Sequence, residues 1–220
     1  MNRLNHLFSS NAAWAAKRIA ENAEYFHDLS KDQKPGYLWI GCSDARVPAN
    51  EILGLAPGDV FVHRNVANVV VQSDLNCLSV MQYAIDALQV PHIIVVGHYG
   101  CGGVGAALRG DRIGVADNWI RHVRDVADRY SQRLAAIKDE HQRYHCLCEL
   151  NVVEQVLHVC QTTVVEDAWK RGQSLSVHGW IYGLDDGRLK NLGLTVIGAE
   201  DVLRHHAETC DKILTAYSAS

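Results

Sequence analysis

Two short apolar runs, each halted by a glycine, constrain the whole chain. Tyr37-Leu38-Trp39-Ile40 stops at Gly41 and leads into Cys42-Ser43-Asp44-Ala45-Arg46. His92-Ile93-Ile94-Val95-Val96 stops at Gly97 and leads into His98-Tyr99-Gly100-Cys101-Gly102-Gly103. Runs of this length without polar alternation fit buried strands. Each ends in a glycine turn carrying side chains that bind metals, and parallel α/β sheets place their ligands at those carboxyl ends.

The segments around them alternate between helical and strand patterns. Residues 10–29 carry an apolar side (Trp14, Ile19, Phe26), with Ser9, Ser10 and Asn11 as N-caps and Lys34-Pro35-Gly36 as the stop. This predicts a helical arm over 1–34, packed on its own domain or on another subunit. A strand follows at Asp59–His63, then a helix over 74–90 capped by Asp74, a helix near Val104–Leu108, and helices over 117–137 and 146–171. Leu175–Tyr182 alternates as a strand, Asp185-Asp186-Gly187 is a hairpin turn, Arg188–Val196 returns, and 199–217 closes the chain as a helix. The expected fold is α/β: a central, mostly parallel sheet of about four strands plus an antiparallel edge strand, flanked by helices. Residues 35–220 are expected to form the α/β domain that carries both strand ends.

A formal charge of −4 provides no basic surplus for nucleic acid or an anionic membrane. No apolar stretch approaches a bilayer span, and Met1-Asn2-Arg3-Leu4-Asn5-His6 lacks the apolar core of a secretory signal, so the expected location is cytoplasmic. In a reducing compartment the seven cysteines read as core residues, metal ligands or nucleophiles before disulfides.

Zinc favours thiolate and imidazole in a tetrahedral set, and catalytic sites use three protein ligands and leave one position open. Cys42, His98 and Cys101 supply two sulfurs and one nitrogen. The His-x-x-Cys spacing is weak by itself, because His145 and Cys148 repeat it. That second pair lies in a helical pattern with no glycine turn and reads as packing. Cys77, Cys146, Cys160 and Cys210 also fall in helical patterns and read as buried small residues. Cys42 alone would be a core cysteine and His98 alone a hydrogen-bonded histidine; together, at two strand ends, they read as a metal site. Asp44 and Arg46 form either a loop salt bridge or a carboxylate held ionised and aimed at a metal-bound water.

These motifs resemble the signature of β-class carbonic anhydrases. Gln33-Lys34-Pro35, Phe61-Val62-His63-Arg64-Asn65-Val66-Ala67-Asn68, Cys148-Glu149-Leu150-Asn151-Val152 and Trp169-Lys170-Arg171-Gly172 extend the likeness, which runs from about Leu7 to Val196. The resemblance implies one zinc per chain, reversible hydration of carbon dioxide to bicarbonate and a proton, and a dimer or tetramer in which the N-terminal helix embraces a neighbour. It implies that Asp44 accepts a hydrogen bond from zinc-bound hydroxide while Arg46 orients it. Gly102 and Gln33 would donate to substrate oxygens, and Val66 and Tyr83 would line an apolar pocket. Trp39, Arg64 and Tyr182 match the bicarbonate site of a regulated bacterial subset, in which Asp44 leaves Arg46 and becomes the fourth zinc ligand at low pH. Competing readings are a zinc module without catalysis, a thiol redox enzyme, and a carbon disulfide or carbonyl sulfide hydrolase on the same scaffold. The absence of a Cys-x-x-Cys pair speaks against the redox enzyme.

Overall fold

The computed structural model describes residues 3–218, so Met1 and Asn2 of the expected arm lie outside it. The chain forms two units, Met1–Lys34 and Pro35–Ser220. In the first, α1 (Asn5–Glu21) and α2 (Tyr25–Lys31) replace the single expected helix. The break falls at Asn22, whose side-chain oxygen accepts from the Glu24 amide, a local bond that competes with helix continuation. The expected caps Ser9, Ser10 and Asn11 lie inside α1, which starts one turn earlier after Leu4. Trp14 and Phe26 bring the two helices into edge-to-face contact. No residue of either helix is buried, and Leu7, Phe8 and Ile19 are exposed.

The second unit holds a five-stranded sheet in the order β2-β1-β3-β4-β5. The strands are β1 (Tyr37–Cys42), β2 (Val60–Asn65), β3 (His92–His98), β4 (Ser176–Tyr182) and β5 (Leu189–Val196). The first four pair in parallel and β5 is antiparallel to β4, the expected architecture. Both apolar runs extend through their glycines, so Cys42 and His98 are the last residues of their strands.

The helices are α3 (Ala49–Leu53), α4 (Leu75–Gln82), α5 (Gly102–Arg109), α6 (Ala116–Arg129), α7 (Ser131–Ala136), α8 (Glu140–Cys160), α9 (Thr163–Lys170) and α10 (Val202–Ser218). Asp74 caps α4, accepting from the Asn76 amide. The expected 74–90 helix widens into a π turn at Tyr83–Ala87 before its end. The expected 146–171 helix divides at Thr162, whose hydroxyl caps α9, and it begins earlier because Asp139 caps α8. The 117–137 helix divides at Tyr130.

Helix α8 lies across β3 and β4 on the larger core, with Leu147, Leu150, Val152, Val153 and Val156 buried. It approaches so closely because two strand positions lack side chains. A Cβ at Gly97 would stand 2.5 Å from a Val152 methyl, and one at Gly179 would stand 3.2 Å from Val156. Valine is stiff at χ1 and cannot swing clear. The smaller core, on Trp39, Val47, Ala49, Ile94 and Val96, has Trp180 and Tyr182 packed against it.

Gly97→Ala is expected to destabilise the protein by about 1–3 kcal/mol through overpacking. Combining it with Val152→Ala is expected to cost less than the sum of the two changes, because the added methyl occupies space that Val152 vacates. Urea unfolding of the three variants measures both.

Candidate metal centre

Because β1 and β3 are adjacent and parallel, with Gly41 beside Val96, their ends deliver Cys42 and His98 side by side. Cys101 caps α5 three residues after β3, across a turn in which Gly100 adopts φ +70°, a conformation that favours glycine. The result is a cluster of Cys42, His98 and Cys101, all buried, whose ligand atoms lie within 4.8 Å of one another. The two sulfurs are 3.9 Å apart. Two corners of a tetrahedron with zinc–sulfur bonds of about 2.3 Å stand about 3.8 Å apart, so the spacing fits zinc.

The imidazole fits too. His98 Nδ1 lies 3.0 Å from the Tyr99 carbonyl and donates to it, which leaves Nε2 as a lone pair facing the cluster. Nε2 is buried with no hydrogen-bond partner. A buried polar nitrogen left without a partner carries a desolvation cost, which a cation at that point removes. The Cys101 thiol does most to hold the Cys42 pKa well below the ordinary thiol range, against the opposing effect of burial, and the His98 ring and the Asp44 and Ala67 amides act in the same direction as Cys101.

Asp44 lies at the rim of the cluster. Its Oδ1 accepts from the Arg46 amide at 3.0 Å and from Nε at 2.9 Å, while Oδ2 accepts from Nη2 at 2.8 Å. This fork holds the carboxyl below the usual carboxylate range, so it is ionised throughout neutral pH. Asp44 Oδ2 stands 3.8 Å from His98 Nε2.

Two features that sequence reasoning missed support this arrangement. Arg64 donates through Nε and Nη2 to the carbonyls of Cys42 and Asp44, pinning the loop between the first ligand and the Asp44–Arg46 pair. Ala67 and Asn68 adopt positive φ, 64° and 47°, an unusual conformation for residues with side chains. Buried Asn151 of α8 stabilises it by donating to the Ala67 carbonyl at 3.0 Å. The positive-φ loop carries the Ala67 amide that faces the Cys42 sulfur. Asn151 stands in an apolar-periodic helix, and a polar residue on that inward side was the available signal.

Among the other predicted residues, Val66 stands against the start of α5, where its methyl would be 2.9 Å from a Cβ at Gly103. Gly102, the first residue of α5, faces open space. Tyr83 stands apart, in the π turn against Phe61, lining a cleft with Leu78, Gln82 and Val164. Gln33 is an exposed residue of the N-terminal unit, with its amide bonded to Asp32. Trp39 is fully buried in the smaller core beside Tyr182, and a Cβ at Gly41 would run into its indole nitrogen. The indole N–H groups of Trp39 and Trp180 are both buried without acceptors. His145, of the repeated spacing, stacks on Tyr99 and meets His141 at a tilt, and Cys148 is buried in the core, so the pair is packing.

Fold and donor set together define an α/β protein whose buried thiol–imidazole cluster, at the carboxyl ends of parallel strands, could hold a metal ion. The carbonic anhydrase family model matches residues 37–189. A carbonic anhydrase of Emericella nidulans is 47% identical over 192 residues, 87% of this chain and 84% of that protein. A tetrameric β-carbonic anhydrase of Sordaria macrospora superposes with a TM-score of 0.84 at 39% identity, over 89% of this chain and all of that one. The Coccomyxa β-carbonic anhydrase in complex with acetazolamide superposes at 0.86 and 37%, over 96% and 98%. The chain belongs to the β-class carbonic anhydrases, enzymes of the reversible hydration of carbon dioxide.

Asn151→Ala is expected to cost about 1–3 kcal/mol, because it strands the buried Ala67 carbonyl. Chemical denaturation of the variant beside the wild type measures it.

Proposed function

We propose that this chain catalyses zinc-dependent hydration of carbon dioxide to bicarbonate and a proton, with Cys42, His98 and Cys101 holding one zinc per chain. The observation that carries this reading is the partnerless His98 Nε2 facing two buried sulfurs. Zinc in such a set supplies a strong nucleophile near neutral pH by lowering the pKa of a water in its open position. The residues around it do the rest. Asp44, kept ionised by Arg46, accepts the hydrogen of the reacting water and so turns its lone pair toward the carbon. The Gly102 amide, at the α5 start, donates to a substrate oxygen. Val66, against the start of α5, offers apolar surface to an apolar substrate, whereas Tyr83 lines a separate cleft in this chain. The Arg46 fork speaks against a module whose fourth ligand is permanently Asp44. The matching relatives are named carbonic anhydrases, which favours carbon dioxide over carbon disulfide or carbonyl sulfide.

The finer reading is regulation by bicarbonate at Trp39, Arg64 and Tyr182. Two buried indole N–H groups without acceptors, and the remaining Nη1 donor of Arg64, suit a small oxyanion. Arg64 also holds the Asp44 carbonyl, so an anion that draws Arg64 away loosens the loop that aims Asp44. Asp44 then exchanges the Arg46 fork for the fourth metal position, as in the regulated bacterial subset. The assembly we propose is a homo-oligomer, dimer or tetramer, located in the cytoplasm without nucleic-acid or membrane partners. The exposed apolar side chains of α1 and the tetrameric Sordaria macrospora relative support the oligomer.

Arg46→Ala is expected to lower kcat/KM for carbon dioxide hydration about 10- to 100-fold while zinc stays at one per chain. Stopped-flow hydration with metal analysis checks this, and full activity would reject the Asp44–Arg46 role. Trp39→Phe and Tyr182→Phe are expected to weaken bicarbonate inhibition and shift the acid limb of the activity profile to lower pH. An unchanged profile in both would reject the regulatory site.

A further inference from the structure

A second constellation of ligand-type side chains joins the end of the chain to the longest helix. Glu154 is on α8, His206 and Cys210 are one turn apart on α10, and Tyr130 follows α6. Among the described residues, Glu154, His206 and Cys210 form the other group whose ligand atoms lie within 4.8 Å of one another. We propose that these three, with the Tyr130 hydroxyl, form a second divalent-cation site of zinc-binding character that clips α10 to α8.

The geometry converges on one point. Glu154 Oε1 is 2.9 Å from His206 Nε2 and 2.7 Å from Tyr130 Oη. Cys210 Sγ is 3.7 Å from the same His206 nitrogen and 3.2 Å from Tyr130 Oη. Four atoms with such edges, whether arranged as a square or a tetrahedron, stand about 2 Å from their common centre, close to zinc bond lengths. The two oxygens of Glu154 are also divided. Arg129 Nη1 donates to Oε2 at 2.5 Å, so Oε1 is left to the cluster, and a cation bound there need not displace Arg129. A carboxylate ligand held by an outer partner is the arrangement that orients metal sites.

Thiol catalysis is a poorer use of the same atoms. A Cys–His–carboxylate relay needs the thiol and the carboxylate on opposite imidazole nitrogens. Here both approach Nε2. The Cys210 thiol is only 4% exposed, too enclosed for a bulky substrate. The His206 side chain is 14% exposed and gives an ion a way in. Sulfur, nitrogen and a carboxylate oxygen favour zinc or a similar borderline cation over calcium or magnesium. Binding releases two protons to solvent, one from the Cys210 thiol and one from the His206 imidazolium that the Glu154 carboxylate favours, so that a thiolate and a neutral imidazole face the ion.

The test is a zinc titration of the enzyme already holding one equivalent, against a competing chromophoric chelator. The wild type is expected to take up a second equivalent and to gain in thermal unfolding midpoint as it does. Cys210→Ala and His206→Ala are expected to keep the first zinc and carbon dioxide hydration, and to bind the second at least about 10-fold more weakly. Should either variant fail to fold, Tyr130→Phe carries the same expectation with less disturbance to packing. A wild type that stops at one equivalent overturns the proposal, as does a second equivalent bound equally well by the variants.

Discussion

A buried imidazole nitrogen with nothing in the protein to bond to is the constraint on which the rest depends. His98 Nε2 faces the buried sulfurs of Cys42 and Cys101. Without a cation the group is costly, and a cation bound there offsets that cost. The parallel pairing of β1 and β3 brings the three donors together, since it aligns the two strand ends to within a residue. An antiparallel pairing would have sent Cys42 and His98 to opposite edges of the sheet.

Holding that cluster in shape requires precision elsewhere. Helix α8 lies against the sheet at glycines, and from there Asn151 props a loop in an unfavourable backbone conformation so that an amide meets the Cys42 sulfur. Arg64 fastens the next turn, and Arg46 aims Asp44. Strain at Ala67 and Asn68 is tolerated because the helix over-determines the loop, and it lies beside the chemistry. The centre is thus supported from three directions: a strand, a helix and an exposed arginine fork.

Much of this was legible in the sequence because it rests on short-range rules. Apolar runs ended by glycine marked β1 and β3, the residue types at their ends marked the Cys42–His98–Cys101 cluster, and Asp185-Asp186-Gly187 marked the return into an antiparallel edge. Helix boundaries were less legible. Asn22, Tyr130 and Thr162 interrupt patterns that periodicity alone carries through, and the π turn at Tyr83 adds a residue without changing the apolar period. Contacts between distant segments left no local mark. Nothing near Arg64 states that it bonds the carbonyls of Cys42 and Asp44, and nothing near Cys210 states that Glu154 and Tyr130 meet it. Cys210 read as a small buried residue because Glu154 and Tyr130, which join it and His206 in one cluster, are 56 and 80 positions away.

The central claim is that two thiolates and one imidazole hold a single zinc whose remaining position belongs to an oxygen. Zinc-edge X-ray absorption of the purified enzyme, loaded with one equivalent, tests it most directly. The account predicts two sulfurs near 2.3 Å, one imidazole nitrogen and one light oxygen scatterer, about four ligands in all. A spectrum with fewer than two sulfurs, or with four filled by sulfur and nitrogen alone, would contradict it.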